Sequence, residues 1–189
     1  IEGLGGCGKG IYDVCPDGSY ANRASAYEGS NDPLRGRCDP VRFMSITREL
    51  KRFGYAVYMG RSRGTHPEGH RHDGIEVFFV HSGCAEFSVA GRNYGVSPGH
   101  ALLFDGTHAH NARALSGTYV RTALHIAGDL TDPDHRAFID DIISEGAATV
   151  ALHPESASRL IWISRELSRM MTAQPVPTDV VRSMVALVV

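Results

Sequence analysis

The chain has 189 residues, of which 21 % are charged and 42 % hydrophobic, the balance of an ordinary globular domain long enough to bury a core. Its net charge of −2, with no basic run and only Lys9 and Lys51 as lysines, excludes binding nucleic acid by charge. No apolar run approaches the ~20 residues of a membrane span, and no secretory h-region precedes the cysteines, so a cytoplasmic protein with no membrane partner is expected.

The four cysteines, Cys7, Cys15, Cys38 and Cys84, form no Cys-x-x-Cys pair, and reduced thiols are expected. A zinc site from Cys7, Cys15 and Cys38 would have unusual spacing. Residues 1–43 are rich in Gly, Asp, Asn, Ser and Pro without sustained apolar periodicity, which predicts a poorly structured arm. Met44 is a candidate start, in which case that arm would not be native. Residues 54–60 predict a short strand, and residues 61–69, with His66 as a solvated residue, a loop.

Next comes His70-Arg71-His72-Asp73-Gly74-Ile75-Glu76, followed by an apolar run to Val80 and then Gly83. On an extended strand His70, His72 and Glu76 point one way, two imidazoles and a carboxylate forming three sides of a transition-metal site. Phe78 shares the parity of Glu76, while Val77 and Phe79 face the opposite layer. Residues 84–89 and 92–96 predict a hairpin about Ala90-Gly91, with Phe87 and Val89 on one face. Ser97-Pro98-Gly99 turns the chain into a strand over 101–104, and Asp105-Gly106-Thr107-His108-Ala109-His110 carries further histidines. Residues 118–126 form the last long strand. Short strands separated by turn residues suggest a sandwich or jelly-roll barrel rather than a βαβ fold.

After Gly128 the pattern becomes helical. Thr131-Asp132-Pro133 offers an N-cap and a proline at the first helical position, with Phe138, Ile139, Ile142 and Ile143 on one stripe and Gly146 closing it. A second helix opens at Pro154, lined by Ala157, Leu160, Ile161, Leu167, Met170 and Met171. Trp162 and Ile163 lie off that stripe, so two partners are expected, the barrel and another subunit. A third helix is capped by Thr178 or Asp179 and runs over 180–189, and its apolar end reads as that of a fragment.

His-x-His, three residues, Glu, six residues, Gly resembles the first signature of the cupin superfamily with every spacing matched. Residues 91–110 resemble the second, although Asp105 stands where cupins usually carry Pro. His-x-His-Asp-x-x-Glu and Gly-Arg-x-Tyr-x-Val-x-Pro-Gly-x-x-Leu-Leu-Phe look like the N-terminal sensor domain of AraC-type transcription regulators. This resemblance covers about residues 54–126 well and the helices to 189 loosely. It implies a mostly β chain with C-terminal helices: a cupin double-stranded β-helix, or jelly-roll barrel, over 44–128, then about three α-helices. Residues 129–189 would be a helical dimerisation or linker region, cut before a DNA-binding domain.

In metal-dependent cupins the matching positions are the ligands, which assigns a divalent transition metal (Zn, Ni, Fe, Mn or Cu) to His70, His72, Glu76 and His110. Sensor domains of the regulator family often keep this pattern while binding an organic effector, so a pocket without metal stays open beside it. Tyr58 and Phe78 are candidate lining residues, Arg121 a candidate anchor for a carboxylate effector, and His108 a fallback fourth ligand. His81 and His125 read as surface or lining positions. No nucleophile arrangement is present, and no catalytic residue is assigned.

The leading expectation is a small-molecule-sensing, dimerising domain that would meet DNA only through a domain absent from this chain. The alternative is a metal-dependent cupin enzyme of dioxygenase or isomerase type.

Overall fold

The computed structural model describes residues 12–14, 20–22, 43–65, 69–171 and 178–186. Cys7, Cys15, Cys38, His66 and residues 187–189 of the expected third helix lie outside the described residues. Within the arm expected to lack structure, β1 (Tyr12–Val14) and β2 (Tyr20–Asn22) pair antiparallel. Helix α1 (Phe43–Phe53) follows, and its buried Ile46 and Leu50 stand four residues apart, the spacing that places both on one face.

Six strands then succeed one another: β3 (Tyr55–Thr65), β4 (Ile75–Ser82), β5 (Ala85–Val89), β6 (Arg92–Val96), β7 (His100–Asp105) and β8 (His110–Ile126). All their pairings are antiparallel. At 17 residues β8 is far longer than an ordinary strand and acts as the spine. Its first part, from His110 to Ala114, pairs with β5, and its second part, from Val120 to Ile126, is clasped by β3 on one side and β4 on the other. Sharing one bent strand in this way rolls the sheet into a barrel. It also carries β3 as far as Thr65, through part of the stretch expected as a loop, because β8 offers backbone partners down to Arg113.

Alternation along the strands makes two packed layers. Phe78, Val80, Phe87, Leu102, Phe104, Tyr119 and Ala123 fill the interior, closed by Ile46 and Leu50 of α1. Val77, Phe79, Leu124 and Ile126 face outward against a helix. That helix is α3 (Pro154–Met170), whose Leu160, Ile163, Leu167 and Met170 are buried at successive spacings of three or four. Ile163 therefore belongs to the barrel-facing stripe, contrary to the expectation, while Trp162 is 57 % exposed.

Helix α2 (Pro133–Ile142) is capped as expected by Asp132, whose carboxylate accepts a hydrogen bond from the Asp134 amide at 2.9 Å. Only Ile139 and Ile143 of its expected stripe are buried, against Ile75, and Phe138 is 58 % exposed. One residue along a helix rotates the side chain by about 100°, which takes Phe138 off the contact. An unforeseen strand, β9 (Ala147–Ala151), then pairs with β7 and extends the sheet. Helix α4 (Thr178–Ala186) packs Val181 into the outer layer. Cys84 is disulfide-bonded, which departs from the expected reduced thiols. No helix among the described residues is long and apolar enough to cross a membrane.

Candidate metal centre

The His-x-His segment reaches Glu76 through a bend rather than along one continuous strand. β4 begins only at Ile75, and His70 forms an isolated antiparallel bridge with His110, each amide donating to the other's carbonyl at 3.0 and 3.1 Å. The His72 amide donates to the Gly106 carbonyl at 2.9 Å, and the Gly106 amide to the Gly74 carbonyl at 2.8 Å. Between them the backbone turns at Gly74, whose φ of +88° lies in the left-handed region. A Cβ at that position would stand 2.2 Å from the Ile126 carbonyl oxygen, so glycine is required there.

Glu76 then enters β4 opposite Phe104 of β7 and His125 of β8. One donor atom each from His70, His72, Glu76 and His110 lie within 4.8 Å of one another, a group that could hold a metal ion. His72 Nε2 is 3.1 Å from Glu76 Oε2, and His110 Nε2 is 2.9 Å from His70 Nε2 and 3.4 Å from Glu76 Oε2. Second contacts orient two of the rings: His72 Nδ1 lies 3.0 Å from the Asp73 carbonyl and His110 Nδ1 lies 2.8 Å from the His108 carbonyl. A carbonyl only accepts, so in the neutral rings each Nδ1 carries the proton and each Nε2 keeps its lone pair toward the centre.

Glu76 is 3 % exposed, His72 6 % and His110 1 %, with His70 half-buried. Burial works against ionisation of Glu76, yet His125, His110 and His72 around it hold its pKa well below the usual carboxylate value. Burial likewise opposes charge on His72, but its hydrogen bond to Glu76 and that residue's charge leave its pKa raised. An anionic carboxylate and converging imidazole nitrogens, shut away from water, are the donor chemistry that a divalent transition metal completes.

The sequence reading missed His125. It is 2 % exposed, its Nδ1 lies 3.1 Å from His72 Nε2 and 3.5 Å from Glu76 Oε2, and burial pushes its pKa down to about 3. Alternation placed it on the same face of β8 as Arg121, which is the one signal that could have found it.

Other candidates fall elsewhere. Tyr58 is interior, its ring 5.4 Å from that of His125 and its hydroxyl donating to Glu49 at 2.7 Å. Phe78 packs in the barrel core with its ring 4.2 Å from Phe87. Arg121 donates to the Ser62 hydroxyl at 3.2 Å, with its guanidinium 5.8 Å from the Phe78 ring centre. His108 is exposed and touches the centre only through its carbonyl, which positions His110.

Residues 59–126 match the family model of the cupin domain. No curated protein matches the chain. Among solved structures, ToxT from Vibrio cholerae O395 bound to (E)-4-(8-methylnaphthalen-1-yl)but-3-enoic acid is 9 % identical over 70 % of this chain and 54 % of its own, with a TM-score of 0.45. An apo ToxT variant from V. cholerae strain SCE256 is 11 % identical over 69 % of this chain and 52 % of its own, with a TM-score of 0.50. A cupin protein from Bacteroides fragilis is 16 % identical over 40 % of this chain and 67 % of its own, with a TM-score of 0.37. The chain thus spans about half the length of the ToxT chains it matches. Residues 59–126, which hold the whole candidate centre, are a cupin domain, as the two signatures around His70 and His110 imply.

Proposed function

We propose that this chain is the small-molecule-sensing and dimerising portion of an AraC-type transcription regulator, with a divalent transition metal held by His70, His72, Glu76 and His110. One structural relationship carries the sensing part. β4 and β8 present Glu76 and His125 to the interior, and the same strands press Val77, Phe79, Leu124 and Ile126 outward onto Leu160, Ile163 and Leu167 of α3. Whatever changes the strands at the centre is felt by the helix one layer away. An effector would act by binding two arrangements of the helices with different affinity. The exposed Trp162 on α3 supports a second copy as the helix's other partner, and DNA contact would come only from a domain outside this chain.

The first experiment is metal analysis of protein purified without an affinity tag. About one equivalent of a transition metal is expected in the wild type and none in His72→Ala. Sedimentation should give a dimer that Trp162→Glu dissociates. Monomeric wild-type protein would sink the dimer reading, and metal absent from both proteins would sink the metal reading.

The same donor set also suits a metal-dependent cupin enzyme, since three histidines and one carboxylate leave coordination positions open. That reading requires turnover that is lost on chelation and in His72→Ala.

A further inference from the structure

We propose that the barrel interior around Arg121 binds a small organic carboxylate, held by the Arg121 guanidinium together with the hydroxyls of Ser62 and Tyr119. This rests on the sensing reading above and names the chemical class of the effector.

Arg121 is half-buried, and alternation along β8 turns it to the same face as the interior residues Tyr119 and Ala123. Its guanidinium lies 5.8 Å from the centre of the Phe78 ring in the barrel core. Nε donates to the Ser62 hydroxyl at 3.2 Å, and Ser62 is only 5 % exposed. Ser62 stands opposite Tyr119, whose ring is 6.3 Å from that of Phe78. The buried Tyr119 hydroxyl has no partner among the described residues. A charge turned toward an apolar interior is costly unless it is paired. Yet no carboxylate among the described residues forms an ion pair with Arg121.

The three groups are alike in having protons to give. Both Nη groups of Arg121 can only donate, the Ser62 hydroxyl already accepts and keeps its own proton, and the Tyr119 hydroxyl is unused. Donors gathered without an acceptor fit a ligand that only accepts, which is an anion. The planar fork of the guanidinium matches the two oxygens of a carboxylate, and the Phe78 ring beside it suits an apolar body.

There is room for such a ligand. Arg121 stands opposite Gly60 of β3 and Val80 of β4. A Cβ on Gly60 would share the face of Arg121, and it meets no atom within 4 Å. The place is separate from the metal centre, since Arg121 and His125 are about 13 Å apart along β8.

The test is titration calorimetry of the full chain with hexanoate, benzoate and 3-phenylpropanoate, each beside its own amide, and with inorganic phosphate. At least one carboxylate should bind about tenfold or more tightly than its amide and than phosphate, the margin expected of charge-assisted hydrogen bonds. Arg121→Gln should abolish that preference. Tyr119→Phe should weaken binding about threefold or more, and Gly60→Val should block it with the guanidinium intact. No carboxylate bound, phosphate bound more tightly, or wild-type affinity in a folded Arg121→Gln would each overturn the proposal. If Arg121→Gln does not fold, wild-type affinity in both other variants overturns it. The titrations are run with and without EDTA, and binding that EDTA abolishes would put the carboxylate on a metal and overturn it as well. Trp162, the single tryptophan, lies on α3 and reports that helix. Carboxylate binding through Arg121 that leaves its fluorescence and the sedimentation unchanged would keep this site and sink the sensing reading.

Discussion

A methyl group on Gly106 would stand 2.2 Å from Cε1 and 2.3 Å from Nδ1 of His72, so the imidazole of His72 fills the space that a side chain at position 106 would need. The same methyl would lie 2.9 Å from the His72 carbonyl oxygen, which prevents relief by a simple ring rotation. Gly106→Ala should therefore push His72 off its hydrogen bond with the Asp73 carbonyl and misaim Nε2. The expected result is metal affinity at least tenfold weaker and a stability loss of about 1–3 kcal/mol. Chelator competition and thermal unfolding of the metal-free protein measure the two separately. An alanine variant that binds metal as tightly as the wild type would show that the close fit is not what aims His72.

A metal bound at this centre would compete with the proton for His72. Its pKa is raised by Glu76 against the opposing effect of burial. In the metal-free protein this histidine stabilises the fold fully below the unfolded value of about 6.5, and that contribution is lost as pH rises through the higher folded value. Metal affinity must run the opposite way, because only the neutral ring can ligate. Lowering the pH through the neutral range should weaken metal binding while strengthening this part of the metal-free protein's stability. Titration calorimetry in buffers of different ionisation heat would report the released proton. Affinity that does not change with pH would refute the competition.

His81 has the opposite linkage. It sits at the end of β4 with Nε2 2.8 Å from the Thr122 hydroxyl, and burial, together with the charge of Arg165, pushes its pKa down from 6.5 to about 4. The unfolded chain takes up this proton first, so stability should fall as pH drops from about 6.5 toward 4, by at most about 3 kcal/mol. His81→Gln can keep a hydrogen bond with Thr122 but does not titrate. It should flatten this part of the pH–stability curve while leaving the neutral-pH stability within about 1 kcal/mol. Identical curves for the two proteins would rule His81 out as the cause.

Tyr119 and Phe78 should behave very differently on truncation, although both are buried in the barrel core with rings 6.3 Å apart. The Tyr119 hydroxyl is buried and finds no hydrogen-bond partner among the described residues. Tyr119→Phe removes an unsatisfied polar atom and should be neutral or stabilising by up to about 1 kcal/mol. Phe78→Ala opens a cavity and should cost about 3–5 kcal/mol. Denaturant unfolding decides both, and a clear loss of stability in Tyr119→Phe would mean that its hydroxyl has a partner in solution.

Much of the site is legible in the order of residues alone. Alternation aligns His70, His72 and Glu76, the resemblance to the cupin signatures adds His110, and alternation again sets Phe78 beside Glu76 and turns Val77 and Phe79 to the opposite layer, where they meet α3. The Asp132 cap is legible for the same reason, since a cap is made between residues two apart in the chain. The tertiary structure alone decided three other matters. It put the bend at Gly74, so that the first two histidines arrive by a turn. It added β9 to the edge of β7, a short segment with no strong pattern of its own. It brought His125 against Glu76, residues 49 positions apart joined by the register of β4 on β8. Register between distant strands is set by the sum of many pairings and by the packing of both faces at once. No local stretch of residues encodes it, and the fourth imidazole of the cluster therefore came into view only in the folded barrel.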